Sequence, residues 1–141
     1  MLAPLSIQGT DSLPRDAIAL NLGDPEWEKP QIANAYAAAQ KLGLPIKLFY
    51  SFDMDEFHCD LVKILQYIRQ YADHPYQLKV NGKVFVSSFA GSCLGPAGWQ
   101  QLKNEANAFV MPALFGIERQ FTSYRGILDS WQWYAFLCLW L

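Results

Sequence analysis

Residues 17–22 read Ala-Ile-Ala-Leu-Asn-Leu, a continuous apolar run typical of a parallel strand that is covered on both faces. The turn that closes this run begins at Gly23. Pro30 suits the first turn of a helix, and apolar residues then recur at helical spacing until Gly43 provides a C-terminal stop. Residues 46–51, Ile-Lys-Leu-Phe-Tyr-Ser, form the next strand. The order strand, helix, strand predicts a parallel α/β sheet.

The same alternation continues along the chain. Asp60 is a suitable N-cap for a helix over residues 61–71, and the pair Asn81-Gly82 predicts a tight hairpin before the next strand. A further helix is predicted over residues 97–106, with Trp99 and Leu102 facing inward. The polar residues 52–56 and the segment 90–96 are expected to be loops, and strands are predicted to begin near residues 17, 46, 83, 108 and 126, the last running to Trp131.

This spacing of strands and helical crossovers fits a (β/α)8 barrel. A complete barrel needs about 250 residues, and the 141 residues amount to one domain at most. The sequence therefore predicts an α/β fold: a partial (β/α)8 TIM barrel of about five parallel strands with crossover helices.

Composition excludes several classes of protein. Hydrophobic residues make up 52% of the chain and charged residues 17%, which predicts a packed core. Eleven Lys and Arg against 13 Asp and Glu give a net charge of −2, so nucleic acid is not an expected partner. The cysteines, Cys59, Cys93 and Cys138, predict neither a zinc module nor a dense disulfide scaffold. No secretory signal is recognised at the start, and the apolar residues 131–141 are too few for a membrane span, which needs about 20.

Loops at the carboxyl ends of parallel strands build the active site of such a sheet. No glycine-rich loop with phosphate-binding spacing is present, so no nucleotide cofactor is expected. Carboxylates, hydroxyls and aromatic rings are what a sugar site requires, because two carboxyl groups carry out glycosidic cleavage. The residues placed at these ends are Asn21, Asp24, Ser51, Asp53, Ser87, Ser88, Phe115, Gly116, Ser130, Trp131 and Gln132.

Five segments in order, residues 16–23, 33–39, 48–54, 71–75 and 81–91, closely resemble glycoside hydrolase family 71, the α-1,3-glucanases or mutanases. The likeness runs from about Asp16 to Trp131. It implies a secreted, inverting hydrolase with a barrel catalytic domain, which acts on α-1,3-glucan of a cell wall or matrix. Extracellular or cell-wall localisation is implied in the same way, with no membrane partner.

The chain also departs from the family pattern. Residues 1–15 lack the family's His-Phe-Met-x-Gly type motif, and no Asp-x-x-Glu segment, which would hold the acid and base, follows Trp131. The expected organisation is therefore an atypical segment 1–15, a partial family 71 barrel over 16–133 and an atypical apolar tail over 134–141. We expect a fragment that is catalytically dead by itself; a non-catalytic glucan-binding protein and a non-functional truncated barrel are the alternatives.

Asp53 is the candidate catalytic residue, either binding sugar hydroxyls or supporting the catalytic pair. The alternative for Asp53 is a loop aspartate that caps local backbone amides. Trp131 fits a core position as well as a sugar platform. The candidate substrate-binding residues are Asn21, Asp24, Ser51, Ser87, Trp131 and Gln132.

Two further groupings are expected to carry no chemistry. Asp55, Glu56, His58, Cys59 and Asp60 match no zinc or calcium spacing, so no metal is expected and a solvated loop is preferred. Cys93 with His74 is expected to be a bystander thiol rather than a nucleophile with its base.

Overall fold

The computed structural model describes residues 16–116 and 121–130. Its strands are β1 (Asp16–Leu22), β2 (Ile46–Asp53), β3 (Lys79–Val80), β4 (Lys83–Phe89) and β5 (Ala108–Pro112). Its α-helices are α1 (Glu28–Leu42), α2 (Met54–Phe57), α3 (Leu61–Tyr71) and α4 (Gly95–Ala106), with 3-10 helices at Gly91–Leu94 and Phe121–Tyr124.

Four strands, β1, β2, β4 and β5, lie side by side in chain order and run parallel. The short strand β3 runs antiparallel to β4. It belongs to a segment that lies between the amino halves of β2 and β4: Leu48 pairs with Gln77, and the Phe85 N–H donates to Leu78 O at 3.0 Å. Direct pairing of β2 with β4 therefore occupies only their carboxyl halves, from Tyr50 onward.

The helices pack on one face of the sheet. The buried sheet residues of the main core, such as Leu22, Tyr50, Val86 and Val110, all point to the same side according to the register of the strands. Buried residues of α1, α3 and α4 belong to this same core. We call this side the helix face and the opposite side the far face.

The far face carries a row of aromatic rings. Phe49 contacts Phe85 edge to face, with ring centroids 4.8 Å apart, and Phe85 stacks on Phe109 at 5.6 Å. Cross-strand aromatic pairs of this kind stabilise the pairing of the strands that carry them. The far face is therefore apolar in its middle.

The regular elements confirm most of the sequence predictions. Gly43 ends α1 in the left-handed conformation, with φ of 58°. Asp60 caps α3 by accepting from the Lys63 N–H at 3.1 Å. The Asn81-Gly82 turn joins β3 to β4, and Trp99 and Leu102 of α4 are buried as predicted.

Three predictions about strands and loops are wrong. The residues after Ser51 are not a polar loop, because β2 continues to Asp53 and α2 follows, with Met54 and Phe57 buried in the core. The segment 90–96 is not an open loop, since it contains a 3-10 helix and the start of α4. Finally, residues 126–130 form no strand, so the described sheet has four parallel strands and one antiparallel strand instead of five parallel strands. The remaining residue of that predicted strand, Trp131, lies outside the described residues.

Residues 126–130 instead seal the edge of β5 with hydrogen bonds. The Val110 N–H donates to Asp129 Oδ2 at 3.0 Å, and the Val110 carbonyl accepts from the N–H groups of Asp129 and Ser130 at 3.2 Å. Asp129 is held in turn by Lys103 of α4, whose Nζ lies 2.9 Å from Asp129 Oδ1. The Asp129 carboxylate thus accepts the hydrogen bond from β5 that a neighbouring strand would otherwise accept.

A disulfide joins Cys59, after α2, to Cys93, in the 3-10 helix after β4. The expectation that Cys93 is a bystander thiol is therefore wrong. Spacing alone did not reveal the pair, because the two cysteines are 34 positions apart in sequence. The parallel pairing of β2 with β4 brings their Cα atoms to 6.0 Å. No helix among the described residues is long and apolar enough to cross a membrane.

Two buried tyrosines offer a matched test of the core. The Tyr36 hydroxyl donates to Gln77 Oε1 at 2.6 Å, whereas the buried Tyr50 hydroxyl has no hydrogen-bond partner in the part of the chain described. We expect Tyr36→Phe to lower the free energy of unfolding by about 1 kcal/mol, because it orphans a buried acceptor. Tyr50→Phe should leave it unchanged or raise it. Urea denaturation of the two variants beside wild type measures the difference.

Alkaline pH gives the same pair a second readout. Burial raises the pKa of both phenols above the ordinary value of 10.0. Above pH 10 the unfolded chain ionises these phenols while the folded chain does not, so stability falls as pH rises. Tyr50→Phe should reduce this alkaline loss of stability, and an unchanged loss would contradict the burial of the Tyr50 hydroxyl.

Candidate functional site

A row of polar side chains crosses the far face near the carboxyl ends of the strands. Asn21 of β1 pairs in register with Ser51 of β2, and Ser51 with Ser87 of β4. Residues in register point to the same side of a sheet, so the three predicted sugar-binding residues are brought together. Asn21 is exposed and Ser51 half-buried, but Ser87 is only 3% exposed. A sugar hydroxyl would therefore reach the first two more readily.

Asp53 extends this row by one step toward the loops. It is the last residue of β2, lies on the same face as Ser51, and is paired in register with Phe89 of β4. Its side chain is the N-cap of α2, with Oδ1 accepting from the Asp55 N–H at 3.1 Å. The local capping considered as the alternative from sequence is thus present. A carboxylate has about four acceptor positions, so capping by Oδ1 leaves capacity for a ligand hydroxyl.

Ser88 points the other way. It lies on the helix face, is 1% exposed, and its Oγ has no hydrogen-bond partner among the described residues. Because side chains alternate along a strand, neighbouring serines cannot both face the same cleft. Ser88 is therefore not part of the row.

Asp24 follows β1 and forms an ion pair with Lys63 of α3. The hydrogen bond from Lys63 holds the pKa of the Asp24 carboxyl below its ordinary value. The same loop is fastened by Glu28, whose Oε2 accepts from the Gly23 N–H at 2.6 Å. Asp24 thus has a partner in the protein itself. The sequence gives no signal for the hydrogen bond between Glu28 and the Gly23 N–H.

Two aromatic rings lie beside Asp53, and the sequence predicts the position of one of them. Phe89, the register partner of Asp53, contacts Phe115 with ring centroids 5.3 Å apart and planes at 67°. The position of Phe115 after β5 predicts that it lies at this edge, whereas the sequence gives no signal for Phe89. The pairing needed the register of β2 with β4, which the sequence does not state.

The remaining candidates lie elsewhere. His74 packs against Tyr36 at 4.9 Å and Tyr71 at 5.8 Å, after the carboxyl end of α3, and the sulfur of Cys93 is bound to Cys59. These two residues therefore form no nucleophile and base. No group of three or more metal-ligating side chains capable of holding an ion is found within residues 16–116 and 121–130. Trp131 and Gln132 lie outside the described residues.

The chain is similar in sequence to several known proteins. The sequence model described as glycosyl hydrolase family 71 matches residues 6–140. Over 85 residues, 60% of this chain, the sequence is 44% identical to the glucan endo-1,3-alpha-glucosidase agn1 of Schizosaccharomyces pombe. An ascus wall endo-1,3-alpha-glucanase of the same yeast is 29% identical over 119 residues, 75% of this chain. A mutanase of Penicillium rubens is 37% identical over 90 residues, 62% of this chain.

The matched segments cover only part of these relatives: 20% of the glucosidase, 28% of the ascus wall enzyme and 19% of the mutanase. The chain thus spans between about a fifth and somewhat more than a quarter of their length. No solved structure matches the chain significantly.

Proposed function

Because the chain belongs to glycosyl hydrolase family 71, we propose that it forms part of a glycosidase that acts on α-1,3-glucan by an inverting mechanism. Two of its relatives are named as endo-acting enzymes on 1,3-alpha-linked glucan, and a third is named a mutanase. Their names supply the substrate class of the proposal.

The barrel is part of the same proposal. Two features of the sheet support it: the parallel strands are adjacent in chain order, and the helices pack on a single face. A doubly wound sheet would instead reverse its strand order and carry helices on both faces. In a (β/α)8 barrel the helices are outside, which would make the far face, with Phe49, Phe85 and Phe109, the inner wall.

The observation that carries the proposal is the placement of Asp53 directly beyond the row Asn21–Ser51–Ser87, on the far face and at the carboxyl edge. This is the edge at which barrel enzymes hold their substrates. In this arrangement the Asp53 carboxylate accepts hydrogen bonds from glucosyl hydroxyls and supports the catalytic acid and base. Inverting hydrolysis needs one carboxyl group to protonate the leaving oxygen and another to activate water.

An extracellular or cell-wall location agrees with the chemistry of the chain. The Cys59–Cys93 disulfide is the kind of bond that persists in oxidising compartments. One relative is named for the ascus wall, which supports the proposal of a cell wall or matrix as the location of the substrate.

The proposal is tested with Asp53→Asn and the matched control Asp55→Asn. Asparagine at position 53 can still accept the cap hydrogen bond from residue 55, so only the charge is removed. Asp55 is an exposed carboxylate two residues away and controls for the loss of charge. The full chain is sedimented with insoluble α-1,3-glucan, and retained protein and released reducing ends are both measured.

We expect wild type and Asp55→Asn to be retained on the glucan. Asp53→Asn should be retained about tenfold less, because it loses a charge-assisted hydrogen bond to the sugar. Any release of reducing ends should fall by roughly 100-fold in Asp53→Asn. Retention without release would favour the alternative of a non-catalytic glucan-binding protein. Equal behaviour of all three proteins would show that Asp53 has no part in the site.

A further inference from the structure

Phe115 is an exposed aromatic residue at the edge where the proposed substrate lies. It follows β5, and 41% of it is accessible to solvent. Its ring contacts Phe89, and Phe89 is the register partner of Asp53. An aromatic pair and a carboxylate are thus neighbours at the carboxyl ends of β2, β4 and β5.

The backbone of Phe115 is held in place by a reciprocal pair of hydrogen bonds. The Ser92 hydroxyl donates to Phe115 O at 2.7 Å, and the Phe115 N–H donates to Ser92 Oγ at 2.7 Å. Cys93, which follows Ser92 in the chain, is linked by the disulfide to Cys59 in the connection between α2 and α3. The ring is therefore presented by an anchored segment, and the entropy of ordering it is already lost before a ligand arrives.

We propose that the exposed ring of Phe115, packed edge to face against Phe89, is a platform on which one glucosyl unit of the α-1,3-glucan chain stacks, next to the unit whose hydroxyls Asp53 binds. This deepens the proposed function and rests on it. The C–H groups on one face of a glucopyranose ring are apolar and match the negative face of an aromatic ring, while its hydroxyls project from the rim toward polar partners. A phenylalanine has no polar atom, so the platform would select the ring face and leave hydrogen bonding to Asp53, Asn21 and Ser51.

Among the exposed aromatic residues described, Trp27 is the most exposed and is therefore the main competitor. It is 67% exposed and lies just before α1, at the same edge of the sheet. Phe115 is preferred because its contact with Phe89 links it to the register position of Asp53. Trp27 therefore serves as the matched exposed aromatic in the test.

The test compares Phe115→Leu, which removes the ring but keeps an apolar side chain against Phe89, with Phe115→Tyr, which keeps the ring. Binding of α-1,3-linked glucose oligomers to the full chain is measured by calorimetry, with thermal melting as the check on folding. We expect Phe115→Leu to weaken binding about tenfold, and Phe115→Tyr and Trp27→Ala to bind within about twofold of wild type.

The outcomes separate this inference from the function on which it rests. Equal binding by Phe115→Leu and wild type, while Asp53→Asn binds weakly, would overturn the platform and leave the proposed function standing. A loss in Trp27→Ala with none in Phe115→Leu would move the platform to the β1–α1 loop and would also overturn the inference. No binding by wild type itself would refute both proposals.

Discussion

Gly91→Ala is expected to lower the free energy of unfolding by about 3 kcal/mol, because no space exists for one more methyl group at this position. A Cβ built on Gly91 would lie 2.5 Å from Ser88 Oγ and 2.7 Å from Trp99 Cζ2. Both neighbours are buried and cannot swing into solvent. Trp99 is fixed further by its Nε1–H, which donates to Gly91 O at 2.8 Å, so displacing the indole would also break that hydrogen bond.

The position matters beyond its own packing. The Gly91 N–H donates to Ala113 O at 2.8 Å, and the Ala113 N–H donates to Ser88 O at 2.9 Å, so Gly91 ties the end of β4 to the residue after β5. Gly98→Ala is the control, since its Cβ would meet only the side chain of Leu94, at 3.1 Å or more. It should stay within about 1 kcal/mol of wild type, as expected for an alanine in a helix. Urea denaturation in which Gly91→Ala unfolds like Gly98→Ala would contradict the packing described.

Asp129→Ala is expected to cost about 2 kcal/mol of the free energy of unfolding, because two groups lose a side-chain partner at once. These groups are the Val110 N–H and the Lys103 ammonium. The ion pair is mostly removed from water, with both side chains 17% exposed. Its loss therefore leaves the Val110 N–H without its acceptor and removes the carboxylate from the Lys103 ammonium, which still donates to Ile127 O at 2.8 Å. A surface ion pair is lost at a smaller cost.

Two controls divide this loss into parts. Asp129→Asn keeps an oxygen that can accept from the Val110 N–H but removes the charge opposite Lys103, so it should lie between wild type and Asp129→Ala. Asp73→Ala breaks the Lys79–Asp73 pair, in which the Asp73 side chain is fully exposed, and no measurable change is expected. Urea denaturation of the three variants measures these differences, which can be compared directly when the free energy of unfolding depends on urea concentration with the same slope in all three. Equal stability of Asp129→Ala and Asp73→Ala would refute the role given to Asp129.

Elements that repeat a local pattern were predictable from sequence. The apolar run of β1, the helical spacing that ends at Gly43, the Asp60 cap and the Asn81-Gly82 turn each depend on residues a few positions apart. The predicted strand at 126–131 failed for the opposite reason. Its apolar residues Ile127 and Leu128 look like a strand, but the decisive interaction is that of Asp129 with Val110, which lies 19 residues away.

The candidate site divides in the same way. Topology alone places Asn21, Ser51, Asp53 and Ser87 at the carboxyl ends of parallel strands, because strand boundaries can be recognised in the sequence. Register cannot be recognised there, so the pairing of Asp53 with Phe89 required the structure, as did the finding that Ser87 and not Ser88 lies on the far face. Whether Asp53 contacts the substrate stays a prediction, which the binding experiment addresses.

The Cys59–Cys93 bridge has a consequence for the unfolded chain. It closes a loop that contains all of α3, β3 and β4, and the two ends of the loop are 34 positions apart in sequence. In the chain-entropy description, closing a loop of this length restricts the denatured ensemble by about 4 kcal/mol. This entropic effect acts on the unfolded chain and not on the contacts of the native fold. A chain with both cysteines reduced would therefore lose this contribution to stability, while the packing of its folded state stayed the same.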